Sequence, residues 1–325
     1  MGVWQDARMI RLSYDLSTGE CKLSCAFFRK LQNADLLSNR KKGRLIFSII
    51  ACMEQTRISE LSEIARKVRI GVVDAVYSAA SGHPGGSLSS ADILTYLYFE
   101  EMRIDPADPQ GSDRDRMVLS KGHASPVLYS VLANRGYFPV EELKTFRKSD
   151  SRLQGHPDLK KTPGVDMTTG SLGQGVSAAC GMALAAKLDG SSRRVYALMG
   201  DGESEEGQVW EAAMFAAHYK LDNLCFILDW NGLQIDGAID DVIGPAPFDT
   251  KFAAFGWNVI TADAHDFVSL EDAFHSARLQ KGKPSVIIAK SVKGRGVSFM
   301  ENQASWHGKA PSAAEYETAM QDLQA

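Results

Sequence analysis

Asp201 and Asn231 are the residues whose types and spacing most plainly invite chemistry. Asp201 stands between Gly200 and Gly202, directly after an apolar run at residues 195–199. Asn231 closes a second apolar run, residues 224–229, about thirty residues after Asp201. A hard cation such as Mg²⁺ or Ca²⁺ takes oxygen ligands. This pair offers a carboxylate and a carboxamide oxygen, and the backbone carbonyl of Leu233 adds a third. Three protein ligands leave room on the metal for a diphosphate and water. The two glycines let the backbone approach a phosphate closely, and the helix after them begins with outward-pointing N–H groups. Gly-Asp-Gly alone is also an ordinary tight turn. The Asn at the end of a second strand is what makes the pattern specific.

Histidine is the second signal. Of seven histidines, His83, His123, His156 and His307 stand in turns rich in Gly and Pro, whereas His218, His265 and His275 read as helical or ordinary surface positions. Singly, each of the first four is unexceptional. Together they point to a polar reaction centre whose groups donate hydrogen bonds and move protons near neutral pH.

Elements must bring these residues to one place. Between the two apolar runs, Val209, Ala212, Ala213, Ala216 and Ala217 recur at helical spacing over residues 208–219. A strand–helix–strand crossover makes its strands parallel. Asp201 and Asn231 then share the carboxyl edge of the sheet, where open α/β sheets bind ligands. The pattern repeats earlier: a strand at residues 117–120, then Lys121-Gly122-His123-Ala124, then a helix over 124–134. Leu61, Ile64, Ala65, Val68, Val72, Val73, Val76 and Tyr77 predict a long helix over 58–80 with one buried face. Residues 81–87 read as a non-helical Gly/Pro loop presenting His83, with helix resuming over 89–99. Residues 168–175 form a loop before a small-residue helix over 176–188, suited to close packing on another helix or another protomer. Strands are predicted at 258–262 and 285–290 with a helix near 270–279 between them. A loop from Lys293 reaches His307, and a last helix covers 312–323. The expected architecture is a single three-layer α/β/α domain over residues 53–325, with a mostly parallel sheet.

Bulk properties narrow the function. The chain has 325 residues, 44% hydrophobic and 23% charged, enough to bury a sizeable core. A net charge of -4 gives no electrostatic case for nucleic acid or an anionic membrane. Cys21, Cys25, Cys52, Cys180 and Cys225 fit no zinc or disulfide spacing, which reads as a reducing cytoplasm. Residues 1–52 differ from the rest. They lack clear apolar periodicity and carry a basic cluster, Arg40-Lys41-Lys42 with Arg44. The apolar run at 45–53 is too short to span a bilayer, and it sits late for a signal segment without a cleavage site. This stretch reads as an atypical N-terminal extension, either disordered or preceding the true start at Met53. The competing reading is an extension that packs on the domain.

The Gly-Asp-Gly…Asn arrangement resembles the thiamine diphosphate motif. Seven segments, SGHPGG, SKGHA, GHPD, TTGSLGQG, GDGESEEG, DWNGLQIDG and the late HG, resemble those of transketolases in the same order, over roughly residues 58–325. The resemblance implies that Asp201, Asn231 and the Leu233 carbonyl bind Mg²⁺, with Ca²⁺ or Mn²⁺ as alternatives. By the same resemblance Gly202 and His123 contact the diphosphate, and His307 reaches it too. Gly170 and Leu172 lie by the aminopyrimidine and thiazolium. His83, His156 and His307 surround the reacting carbons of a sugar phosphate. Glu206 matches the position that links two cofactor sites across a dimer, although Glu203, Glu205 and Glu206 also simply favour a helix N-terminus. The implied reaction moves a two-carbon ketol unit from a ketose phosphate to an aldose phosphate, with the cofactor supplying the chemistry.

Three features depart from the family pattern. Lys121 stands where many full-length transketolases have a neutral polar residue, and Ser171 replaces a common proline. The chain also ends where a full transketolase is about half done. The expected partner is therefore a carboxy-terminal subunit with the pyrimidine-binding and C-terminal domains, in two copies with two of this chain. Other readings are the same half-enzyme in a 1-deoxyxylulose-5-phosphate synthase-like condensation, ketol transfer on an unusual sugar, and the cofactor subunit of an oxo-acid dehydrogenase or decarboxylase. The paired Gly-His-Pro turns count against the oxo-acid reading. A non-catalytic homologue would be expected to lose Asp201, Asn231 or the histidines.

Overall fold

Five apolar runs of the sequence are strands of one sheet in the computed structural model. The structure describes the backbone of residues 14–15, 20–21 and 40–325, and side chains from residue 55 onward. The chain divides into two units, residues 1–60 and 61–325. The expectations placed on residues 1–52 fall largely outside the described residues. Within them, Tyr14–Asp15 and Glu20–Cys21 form a short antiparallel pair. The long helix predicted from residue 58 begins earlier: α1 spans Arg40–Ala79.

The sheet of the second unit comprises β1 (Arg116–Leu119), β2 (Val195–Gly200), β3 (Leu224–Trp230), β4 (Asn258–Asp263) and β5 (Ser285–Lys290). Their order across the sheet is β1-β2-β3-β5-β4, and all four pairings are parallel. Every residue of β2 is buried, as are the first six of β3. Burial on both faces explains why these strands read as continuous apolar runs and not as alternating ones. Helices α5 (Gln174–Leu188), α6 (Gly207–His218) and, after the short α7 (Ile239–Val242), α8 (Phe248–Ala254) cover one face, packing on Val195, Ala197, Met199, Leu224, Phe226 and Leu228. On the other, Tyr196 meets Phe274 of α9 (Phe267–Leu279), which stacks on Tyr96 of α3 (Ala91–Tyr96). The result is the expected three-layer α/β/α arrangement. The last helix, α10 (Ala313–Asp322), begins with a capping box between Ser312 and Glu315. Among the described residues no helix is long and apolar enough to cross a membrane.

One local expectation is overturned. The segment after Ser81, read as non-helical, contains α2, Pro84–Ser89. Proline is tolerated at the first helical turn because its missing N–H would have no partner there. Tertiary packing requires the glycine at position 85: a Cβ there would lie 2.8 Å from the Trp306 carbonyl oxygen. Helix α4 (Ser125–Arg135) follows β1 through a 3-10 turn at Gly122–Ala124.

Candidate active site

Parallel register brings the sequence-predicted residues to one edge. Gly200 lies level with Asp229, and Trp230 with Lys290. Asp201, Asn231 and the loop after Lys290 therefore leave the sheet together. Asp201 is buried, and its carboxylate accepts from Gly202 N at 2.8 Å and from Gly232 N at 2.6 Å. Gly232 lies between Asn231 and Leu233, so the carboxylate rests against the turn that supplies the other two oxygens. Asn231 Oδ1 accepts from Leu233 N, and the Leu233 carbonyl accepts from Lys293 Nζ at 3.2 Å. Burial and the neighbouring charge of Asp229 push the Asp201 carboxyl up to about 6. A bound cation reverses that shift. The donor set is all hard oxygen and already faces an ammonium, so it fits a divalent cation such as Mg²⁺. Among the described residues no three His, Cys, Asp or Glu gather as an alternative metal site.

Three of the four turn histidines form one cluster. His83 precedes α2, His123 sits in the 3-10 turn after β1, and His307 follows the turn Ala304–Trp306. Their ring centroids are 5.2 Å (His83–His123), 5.4 Å (His83–His307) and 5.0 Å (His123–His307) apart. Burial is the first cause that holds all three neutral, with nearby positive charge adding to it. His83 is lowered to about 4, His307 to about 3 and His123 well below the usual value. Lys293 Nζ lies 3.2 Å from His307 Nδ1. An ammonium can only donate, so neutral His307 carries its proton on Nε2. His156 sits against Gly170, where a Cβ would come within 3.3 Å of the imidazole. Tyr129 and Ser125 of α4 pin its turn, donating to the Gln154, Gly155 and His156 carbonyls.

Two predicted residues are not drawn into this cluster. Glu206 is exposed just ahead of α6, and Leu172 is half-buried in the loop before α5. Among the described residues no hydrogen bond or ring contact joins either to the histidines.

Several residues here were not picked out as site residues from sequence. Lys121, noted only as a family departure, is buried and donates to the Gly86 carbonyl at 2.8 Å and to Asp229 Oδ2 at 2.5 Å. Asp229 also accepts from Ser89, Ser90 and Ser291. Lys293 is buried as well, and burial lowers it to about 8. Glu203 is buried and accepts from Ser120 Oγ, Gly173 N and Gly200 N, tying three turns together. Lys121 and Lys293 both follow parallel strands at the carboxyl edge, a signal the sequence did contain. His265, read as an ordinary surface position, is instead fixed at both nitrogens. Nδ1 lies 2.7 Å from Asp92, which also pairs with Arg69, and Nε2 accepts from Val292 N.

A parallel α/β sheet with an oxygen-donor turn, two buried lysines and a neutral histidine cluster at its carboxyl edge fits an anionic cofactor. Residues 61–324 match the profile of "Transketolase, thiamine diphosphate binding domain", and the chain belongs to that family of ketol-transferring enzymes. It is 43% identical over 265 residues to a subunit of the 6-deoxy-6-sulfo-D-fructose transketolase of Clostridium sp. (strain MSTE9), covering 82% of this chain and 96% of that one. It is 46% identical over 266 residues to a subunit of the apulose-4-phosphate transketolase of Actinobacillus succinogenes, covering 81% and 96%. Transketolase from Campylobacter jejuni superposes with a TM-score of 0.78 at 35% identity, over 82% of this chain and 43% of that one.

Proposed function

We propose that this chain is the thiamine diphosphate-binding subunit of a two-chain transketolase. The single observation that carries this reading is the His83–His123–His307 cluster at the same sheet edge as the Asp201–Asn231–Leu233 oxygens and Lys293. Asp201, Asn231 and the Leu233 carbonyl would hold the divalent metal. His123, Gly202, Lys293 and the Nε2 side of His307 would meet the diphosphate, with Gly170 and Leu172 beside the rings. Thiamine diphosphate, when bound, supplies the nucleophilic carbon and electron sink for carbon–carbon cleavage. His83 and His156, neutral at physiological pH, would donate to the sugar oxygens and take up or return a proton there. The separate carboxy-terminal partner is supported by the near-complete match to two relatives that are themselves named as subunits. Exposed Glu206 would face the other half of the assembly.

The sugar need not be an ordinary ketose phosphate. Both of these relatives are named for modified sugars, which favours ketol transfer from a sulfonated or branched sugar as a second reading.

The test is co-expression with the polypeptide encoded beside it. Purified enzyme, loaded with thiamine diphosphate and Mg²⁺, is assayed with ketose phosphates, 6-deoxy-6-sulfofructose and apulose-4-phosphate as donors. Ketol transfer is expected from the pair and not from this chain alone. Robust turnover by this chain alone removes the partner from the reading. Turnover of 2-oxo acids in place of sugars overturns the activity.

A further inference from the structure

We propose that Arg147 is the positioning residue for His83 and His156: one guanidinium, carried on a left-handed backbone, bridges the two turns that present them. Arg147 is a non-glycine residue at φ 63°, a conformation that costs energy and persists only where surrounding structure enforces it. Its N–H donates to the Leu153 carbonyl at 2.8 Å, so the strained backbone is locked to the stretch of chain leading into His156. The side chain points both ways. Nη1 donates to Ser81 Oγ at 2.7 Å, two residues before His83. On the other side a Cβ on Gly155 would stand 3.1 Å from Nε, so any side chain on the residue before His156 would crowd the guanidinium. Phe146 lies under it, 5.4 Å from the ring centroid.

The guanidinium is also uncompensated. Among the described residues no carboxylate pairs with it, and its Nε is buried with no hydrogen-bond partner in the chain. His83 Nδ1 is buried and unpartnered in the same way. Buried donors and acceptors left unpaired are few in folded proteins and call for a reason. After burial, Arg147 is the next cause lowering both His83 and His156. The other charged or titratable groups acting on His83 are His156 and Lys293, with the His123 and His307 rings in contact. One cation thus sets the separation of the two imidazoles and favours their neutral forms.

The kinetic arm of the test rests on the ketol-transfer reading; the spectroscopic arm does not. Arg147→Asn removes the charge while tolerating the left-handed backbone, Arg147→Lys keeps charge without the fork, and Gly155→Ala presses a methyl group on the guanidinium, whose Nε, Cζ and Nη2 are the atoms nearest to it. In histidine-labelled full chain followed by NMR, His83 and His156 should titrate at higher pH in Arg147→Asn than in wild type. In the assembled enzyme kcat/KM for the donor sugar should fall about 10²-fold in Arg147→Asn, as displacements near 1 Å do, and by a smaller factor, about threefold to tenfold, in Gly155→Ala, where the guanidinium must give by less. The Kd for thiamine diphosphate should change less than about threefold, and Arg147→Lys should recover the titration but not the rate. Unchanged kcat/KM in these variants overturns the proposal, whatever the melting temperature does. If the wild-type assembly shows no ketol transfer, the functional reading fails instead. Unmoved His83 and His156 titrations then overturn the positioning role by themselves. Should Arg147→Asn not fold, Gly155→Ala carries both arms.

Discussion

Lys121 Nζ lies 2.5 Å from Asp229 Oδ2, and both side chains are buried beneath the histidine cluster. An ion pair out of water is held only while both partners and their hydrogen bonds are present. Here three serines and the Gly86 carbonyl complete the set. Lys121→Met should therefore leave an uncompensated carboxylate and cost about 3–5 kcal/mol of stability. The double variant Lys121→Met/Asp229→Leu should cost less than the sum of the two single changes. Urea unfolding of all four proteins measures the coupling. Additive losses would mean that the pair is not a unit.

Asp201→Ala should abolish Mg²⁺-dependent binding of thiamine diphosphate. The carboxylate is the only anionic oxygen among the three proposed ligands, and a hard cation needs it. It also accepts from Gly202 N and Gly232 N, so folding must be checked by circular dichroism. Asp201→Asn keeps an acceptor oxygen and isolates the loss of charge. Calorimetric titration of the assembled enzyme with cofactor and Mg²⁺ reads the result. Unchanged affinity in both variants would remove Asp201 from the metal site.

His123 and His156 should separate in role. His123 lies among Lys121, His83 and His307 in the interior of the site. His156 lies exposed against Gly170, on the side of Arg147. His123→Ala should mainly weaken cofactor binding. His156→Ala should mainly lower the rate with sugars, by about 10²–10⁴-fold, the usual contribution of an acid–base or positioning group. Steady-state kinetics at saturating cofactor distinguish them. Identical defects, both cured by excess cofactor, would refute the division.

Acid should destabilise the fold through the same cluster. His83 is lowered to about 4 and His307 to about 3, first by burial. Unfolded histidine titrates near 6.5. Below that pH the unfolded chain binds protons that the folded chain refuses, so stability falls from about pH 6.5 towards pH 4. Asp201, raised to about 6, works in the opposite direction: the folded chain takes its proton first and gains stability as pH falls towards 4. Discounted for solvent screening, each histidine's contribution is about 1–2 kcal/mol at pH 5. Melting temperatures at pH 7 and pH 5 should therefore differ less in His83→Asn/His307→Asn than in wild type. An equal drop in both proteins would place the acid sensitivity elsewhere.

The sequence by itself determined the parallel sheet, the placement of Asp201 and Asn231 at its carboxyl edge, and three of the histidines that meet there. These follow from short-range physics. Buried parallel strands must be apolar on both faces, crossovers must be helical, and Gly-rich turns at strand ends must carry polar groups outward. Tertiary structure decided what long-range packing controls. Local propensity argues against helix in Pro84–Ser89, yet the segment is helical and buried, with Gly85 packed against the distant Trp306 carbonyl where a side chain would not fit. Nothing near Lys121 in the chain announces Asp229, since that pairing spans 108 residues and exists only once β1 and β3 lie in one sheet. His265 read as a surface residue because its partners, Asp92 and Val292 N, are 173 and 27 residues away. Nothing in the residues around Arg147 marks it as part of a site. Its left-handed backbone and its reach to Ser81, 66 residues earlier, emerge only when the two histidine turns are brought side by side. Periodicity and turn chemistry are written in neighbouring residues, whereas the pairing of buried charges depends on which distant elements share a wall.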